Sequence, residues 1–321
     1  MAKKIDYDLI ILGAGPAGMT AGIYAARKQL DTLILTGDIG GQATWSADVE
    51  NYLGYIYISG PELVRKFEEH LLKFPVDIEY TRAAKLSQIN SGFRVDTEDG
   101  RVFTAKSVIV ATGKSPRMLN VPGEKEYVAK GVTYCATCDG PLFAGKNVAV
   151  VGGGNSGLDA AVQLMKICPK VYIIEATERL RADAVLVDRV RASGNVDILT
   201  NTLVKSIHGN MLVDRITVEN TSTGEVRDIS VEGVFVEVGL APNTDFIKDL
   251  LPLNEYGEVA VDCAGRTPIP GLYAAGDVTI DPEKQIIIAA GDGAKAALGA
   301  YSYLVRLPSA TDWSTEATCE T

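Results

Sequence analysis

Short apolar runs, each closed by a glycine turn, set the pattern of this chain. Asp8-Leu9-Ile10-Ile11-Leu12 has the composition of a buried strand, and Gly13-Ala14-Gly15-Pro16-Ala17-Gly18 follows directly. Met19 to Lys28 is alanine-rich and predicts a helix, and Thr32 to Leu35 is apolar again where a βαβ unit needs its second strand. The order then recurs. Asn147 to Val151 leads into Gly152-Gly153-Gly154-Asn155-Ser156-Gly157, a helix is predicted from Leu158 to about Ile167, and Val171 to Ile174 forms a strand ending on Glu175. Three more runs end in turns: Val108 to Gly113, Val234 to Gly239 followed by Ala241-Pro242-Asn243-Thr244, and Leu272 to Asp277.

Strand, glycine turn and helix in that order bring backbone N–H groups and a helix N-terminus up to a pyrophosphate. One such turn is weak evidence. Two, each with its flanking elements, predict two nucleotide-binding units, against the alternative of tight turns in an unrelated α/β protein. The candidate phosphate-facing residues are Gly13, Gly15, Pro16, Ala17 and Gly18 in the first turn. In the second they are Gly152, Gly154, Asn155, Ser156 and Gly157.

A length of 321 residues exceeds one hydrophobic core and fits this two-domain reading. With 46% apolar and 22% charged residues the composition is that of a folded protein rather than a disordered one. The formal net charge of −10 argues against nucleic acid or an anionic membrane as partner. No apolar stretch approaches the ~20 residues that span a bilayer. Lys3 and Lys4 ahead of an apolar run superficially suggest a signal peptide, but Asp6 and Asp8 interrupt it and a glycine turn follows. The segment reads as a strand, and a cytoplasmic protein is expected.

Of the five cysteines only Cys135 and Cys138 are close in sequence; Cys168, Cys263 and Cys319 are scattered, which excludes a secreted disulfide framework. His70 and His208 are the two histidines, so a four-ligand zinc site is poorly supplied and no metal is expected. The spacing Cys135-Ala136-Thr137-Cys138 allows a small, reversible disulfide ring, and in such motifs one thiol is often acidified. The motif precedes the second glycine turn and is expected outside the thioredoxin position, which follows a strand and opens a helix. Asp139 is placed to move a proton if it lies within hydrogen-bond reach. Half a metal site, or two inert buried thiols, are the competing readings.

Taken together, the Gly13–Gly18 turn, Gly40-Gly41-Gln42, Val49-Glu50-Asn51-Tyr52-Leu53-Gly54, Cys135-Ala136-Thr137-Cys138-Asp139-Gly140 and Tyr273-Ala274-Ala275-Gly276-Asp277 resemble the low-molecular-weight thioredoxin reductases, in order over nearly the whole chain. The resemblance implies an α/β fold of two Rossmann-like nucleotide-binding domains of three-layer ββα type, the second inserted into the first. Residues 1–115 and 246–321 would form the FAD domain, and residues 116–245 the inserted domain with the dithiol. FAD would meet Gly13, Gly15, Pro16, Ala17, Gly18, Thr36, Gly40, Gly41, Gln42, Asn51, Thr112, Gly113, Gly276, Asp277, Gln285 and Ile286, with Asp277 accepting from a ribityl hydroxyl at a strand's carboxyl end. Cys138 would face the flavin, Cys135 would attack the disulfide of thioredoxin or a thioredoxin-like protein, and Asp139 would be the acid–base catalyst. A homodimer and a swinging inserted domain are also implied.

The second nucleotide site departs from the family. Its NADPH users carry a His-Arg-Arg cluster after the second strand; here the stretch reads Glu175-Ala176-Thr177-Glu178-Arg179-Leu180-Arg181. A carboxylate at that place accepts from a free ribose 2′-hydroxyl and repels a 2′-phosphate. NADPH is therefore disfavoured, although Arg179 and Arg181 could reach a phosphate from a shifted loop. Three alternatives are open: NADH with Glu175 on the ribose, a degenerate site with electrons arriving from reduced ferredoxin, or another nucleotide such as a second flavin. A flavin-dependent oxidoreductase without the dithiol and a redox sensor without turnover are the competing functions. Pro308 to Thr321 reads as a polar, disordered tail, with Trp313 as a candidate cover for the flavin or a partner surface of the other subunit, and with Cys319 unassigned.

Overall fold

A computed structural model describes residues 5–46, 49–90 and 92–307, the side chains of Trp45 and Cys138 excepted. Trp313 and Cys319 lie outside the described residues. The chain divides into two compact units, Met1–Lys114 with Pro242–Thr321, and Ser115–Ala241. Strands and helices are numbered along the chain.

In the first unit β1 (Asp6–Ala14) lies between β2 (Thr32–Ile39) and β6 (Val102–Val110), all parallel. Strand β3 (Asp77–Tyr80) adds beyond β2, and β17 (Leu272–Ala274) adds beyond β6. The start of β6 also pairs antiparallel with β5 (Gly92–Thr97), which pairs with β4 (Ala83–Ile89). Alternation along the strands sorts the core into two layers. Leu9, Ile11 and Ile109 face α1 (Pro16–Arg27) and α6 (Ile286–Leu304), where Ala21, Ala25, Ala296, Ala297 and Ala300 are buried. Ile10, Leu12, Val108 and Val110 face the other way, with Phe93, Val95 and Phe103. The two helices approach so closely that a Cβ on Gly293 would collide with the Ala17 carbonyl. Helix α2 (Gly60–Leu71) begins with Ser59 accepting from the Glu62 N–H and buries Leu63 and Leu71.

The chain passes between the units on β7 (Lys114–Pro116) and β16 (Leu240–Pro242), which pair as a two-stranded sheet. The inserted unit repeats the layering. Its parallel sheet runs β11 (Val196–Leu199), β10 (Val171–Ile174), β9 (Val148–Val151), β15 (Gly233–Val236), β8 (Val132–Thr133). Helices α4 (Asn155–Leu164) and α5 (Ala184–Arg191) pack on one face, through Leu158, Ala161, Leu164 and Val190. The meander β12 (Thr202–Gly209), β13 (Val213–Asn220), β14 (Val226–Ser230) covers the other. These are two Rossmann-like domains of ββα layering, the fold class expected.

Some local expectations shift. The helix predicted to reach Ile167 ends at Leu164, close before Pro169, whose ring disfavours helical backbone at Cys168. Strand β2 continues to Ile39, where it still pairs with Ala14. The dithiol segment corrects its prediction outright: it follows a strand, β8, and Ala136–Asp139 form a single helical turn, α3. Strand β8 is two residues long, too short to show as an apolar run, yet Val132 is buried at the sheet edge beside Val234. Among the described residues no helix is long and apolar enough to cross a membrane.

Ile109 is wholly buried between Ile11 and Tyr273 on neighbouring strands. Ile109→Ala is expected to destabilise the chain by about 2–5 kcal/mol, read as a lower urea midpoint at an unchanged m-value.

Candidate active site: two glycine cradles and a dithiol

All the parallel strands of the first unit end at one edge, and the turns there carry most of the residues nominated for FAD. Gly13 has φ 105°, and a Cβ on it would strike the carbonyl of Ala111 at the end of β6. A Cβ on Gly18 would strike the carbonyl of Gly13. These two glycines are required by the protein's own packing. Gly15 is different: the nearest atom to a Cβ there is the Gly40 carbonyl at 4.0 Å. The missing side chain leaves room outside the protein, beside the first turn of α1, which Pro16 opens and whose Ala17 is buried. That is the shape a pyrophosphate needs, so the cradle fits a dinucleotide.

The surrounding residues converge on the same edge. Thr36 bonds to the Asp38 carbonyl near the end of β2, and the Gly40 N–H donates to the Ala14 carbonyl at 2.8 Å. Gly41 and Gln42 open a short 3₁₀ turn. Asn51 Nδ2 donates to Gln285 Oε1 at 3.0 Å, joining segments 234 residues apart at the start of α6, where Ile286 follows. Thr112 and Asn243 bond reciprocally, each side chain to the other's carbonyl at 2.8 Å, and Gly113 takes φ 61°. Gly276 takes φ 74° beside Ala17. The Asp277 side chain has no hydrogen-bond partner among the described residues; burial pushes its carboxyl above the ordinary range, against the pull of Lys284 and Lys114. A half-buried carboxyl without a protein donor suits a ligand hydroxyl. Sequence reasoning missed Lys114, Glu258 and Lys284, whose ion pairs of 2.9 and 3.5 Å flank it; no motif marks them. A cavity of about 330 Å³ at the opposite end of β17, between Arg266, Tyr273 and Arg306, touches none of the nominated residues.

The second cradle repeats the geometry. Gly152 takes φ 124° against the Glu237 carbonyl at the end of β15, Gly157 packs under the Gly152 carbonyl, and a Cβ on Gly154 would meet nothing within 4 Å. Asn155 and Ser156 begin α4, and the Asn155 side chain accepts from the Asp183 N–H at 2.8 Å. Glu175 is turned inward. Its Oε2 accepts from the Gly153 N–H at 2.7 Å, and its Oε1 accepts from the Thr177 N–H at 2.8 Å and hydroxyl at 2.6 Å. Burial would raise its pKa, but these bonds and Arg181, 4.0 Å away, hold it below the ordinary carboxylate range. Glu178 and Arg179 are exposed.

Cys135 is disulfide-bonded. Its N–H donates to Thr133 Oγ1 at 3.2 Å, that hydroxyl bonds to Asp139 Oδ2, and the Asp139 N–H closes the turn on the Cys135 carbonyl at 3.1 Å. Asp139 is thus tied to the motif's own turn through Thr133. The Cys138 side chain is not among those described. Thr137 Oγ1 donates to Gln163 on α4 at 3.2 Å. Sequence reasoning also missed Glu237, whose carboxylate accepts from the Ala136 N–H and is pushed up to about 7, chiefly by burial.

A family model described as pyridine nucleotide-disulphide oxidoreductase matches residues 7–295. Over 306 residues, 95% of its length, the chain is 44% identical to a protein named NADH dehydrogenase from Ferdinandcohnia aciditolerans, of which it covers 59%. Over 305 residues it is 44% identical to a Staphylococcus aureus protein named as a component of alkyl hydroperoxide reductase, of which it covers 60%. The chain therefore spans less than two thirds of the length of these curated relatives. Among solved structures it resembles the Lactococcus lactis thioredoxin reductase, with a TM-score of 0.82, 39% identity, and coverage of 94% of this chain and 100% of that one. The chain belongs to the pyridine nucleotide-disulphide oxidoreductase family and carries the fold of its low-molecular-weight thioredoxin reductases.

Proposed function

We propose that the chain is an FAD-dependent disulfide reductase that draws electrons from NADH and delivers them, through Cys135 and Cys138, to a disulfide on a thioredoxin-like protein. One observation carries the reading: the turn with the Cys135 disulfide and the second glycine cradle meet at one strand end. Glu237 binds the Ala136 amide with its carboxylate while its own carbonyl lies against Gly152. A dinucleotide cradle and a redox sulfur built on one residue suit electron delivery rather than metal binding or inert packing.

The first cradle, Gly15 with Asp277 and the Asn51–Gln285 pair, is the place for FAD, which supplies two-electron transfer between donor and disulfide. Cys138, two residues beyond Ala136 in α3, is the natural disulfide partner of Cys135. Asp139, bonded to Thr133, is placed to exchange protons with this turn.

The choice of NADH rests on Glu175. A carboxylate has about four acceptor positions, and three donors occupy Glu175, which leaves one for a ribose hydroxyl. A 2′-phosphate ~4 Å away would instead be repelled, by about 4 kcal/mol per charge pair at an effective dielectric near 20 before screening, a cost that Arg181, 4.0 Å from Glu175, offsets in part. The NADH dehydrogenase name of one relative fits this choice. The alkyl hydroperoxide reductase name of another fits a disulfide acceptor that serves peroxide reduction.

Three measurements test the reading. Gly15→Val puts its side chain into the open space of the cradle, where the nearest protein atom to its Cβ is the Gly40 carbonyl at 4.0 Å, so the apoprotein should lose only about 1 kcal/mol, the cost of a poorer N-cap on α1, while flavin absorbance in the purified protein is lost. In anaerobic mixing, NADH should bleach the flavin saturably, and NADPH should need a concentration at least about tenfold higher; equal bleaching by NADPH, or bleaching by reduced ferredoxin alone, would exclude the assigned donor. Cys135→Ser should abolish reduction of protein disulfides and leave flavin reduction by NADH intact. Disulfide reduction that survives the substitution would sink the dithiol mechanism.

A further inference from the structure

Glu237 is a largely buried acid of the inserted unit to which the proposed chemistry gives no task. It follows Val236, the residue of β15 that pairs with Val151 of β9. In the first unit the corresponding residue follows Val110, the partner of Leu12, and is Ala111. Both positions do the same backbone work, setting a carbonyl against the first glycine of a cradle. Only the unit with the dithiol puts a carboxyl there, where the other has a methyl group.

That carboxyl binds the amide directly after Cys135. Charged groups on the elements around it are acids: Asp159 on α4, which raises the Glu237 pKa further, and Asp139 on α3, which is bonded to the Thr133 hydroxyl. The strand beside it, Val148–Val151, carries no charge. Backbone N–H groups near a sulfur favour its thiolate, and a neighbouring negative charge disfavours it. An ionised Glu237 acts against the thiolate twice, by engaging the Ala136 N–H and by adding charge. A protonated Glu237 does neither strongly.

We propose that Glu237 is a positioning residue for the dithiol, holding the turn through the Ala136 amide and restraining ionisation of the reduced Cys135 thiol. The proposal rests on the reading of Cys135 as a working thiol. The sign follows from the acid's titration near pH 7. Below that pH Glu237 is neutral and its replacement by an uncharged isostere changes little. Above it the charge is present, and removing it lowers the thiol pKa.

The test uses the full FAD-loaded chain, reduced, desalted under anaerobic conditions and treated with iodoacetamide, with alkylation read by mass on the Cys135 peptide between about pH 5.5 and 9, a range that brackets the ordinary thiol pKa. Glu237→Gln keeps an acceptor for the Ala136 N–H and removes the charge. It should label at the wild-type rate at about pH 6 and about tenfold faster at about pH 8, one pKa unit of the thiol being a factor of ten in thiolate. Glu237→Ala should be faster at the higher pH as well and should melt at a lower temperature, because the Ala136 amide loses its partner. Superimposable wild-type and Glu237→Gln profiles would overturn the proposal. Should neither variant fold, the wild-type profile decides alone: labelling governed by one ionisation, without an inflection near pH 7, would overturn it. A Cys135→Ser chain that still reduces protein disulfides would defeat the functional reading while leaving the labelling result standing.

Discussion

The contact on which both halves of the molecule depend is a backbone carbonyl pressed against a glycine Cα. In each unit the residue that ends a central strand, Ala111 or Glu237, sets its carbonyl where the first glycine of the neighbouring turn would carry a side chain. The third glycine then closes on the carbonyl of the first. The turn cannot open without losing the contact between strand and helix, so the helix N-terminus is held in place before any ligand arrives. The middle glycine faces open space, with nothing within 4 Å of a Cβ on Gly154 and only the Gly40 carbonyl, at 4.0 Å, near one on Gly15. Rigid backbone on two sides and open space on the third is what allows N–H groups to be aimed at a phosphate without a rearrangement cost.

Electrostatics then separates the two cradles. Asp277 in the first is half-buried without a protein donor among the described residues, and its carboxyl is raised. Glu175 in the second is nearly fully buried, bound by three donors and lowered. Two carboxyls at strand ends thus differ: Asp277 has no protein donor on its acceptors among the described residues, and Glu175 commits most of its own to locking its loop. The Arg181 N–H adds to that lock by donating to the Gly153 carbonyl.

Much of this was legible in the sequence, for a physical reason. Glycines at fixed offsets after an apolar run report a backbone constraint, and that constraint is local, so Gly13, Gly18, Gly152 and Gly157 could be assigned without coordinates. What escaped was non-local. Asn51 and Gln285 are both placed at the FAD site by the family resemblance, but no spacing announces the hydrogen bond between them, and nothing near Ala136 announces Glu237, because those pairs are made by chain topology. Strand β8 escaped for a different reason: two residues suffice to extend a sheet edge but not to show a period.

The close pairing of α1 with α6 also governs how the chain can be made. Residues near the two ends of the chain build one layer of the first unit, and Gly293 against Ala17 leaves no slack for a substitute. The inserted unit, by contrast, is continuous from Ser115 to Ala241. During synthesis it is complete, with its own sheet and core, before β17 and α6 exist. The first unit lacks the cover for one edge of β6 until β17 is made, and for the alanine face of α1 until α6 is made. Until β17 is made, the edge of β6 that it covers is open to wrong pairing.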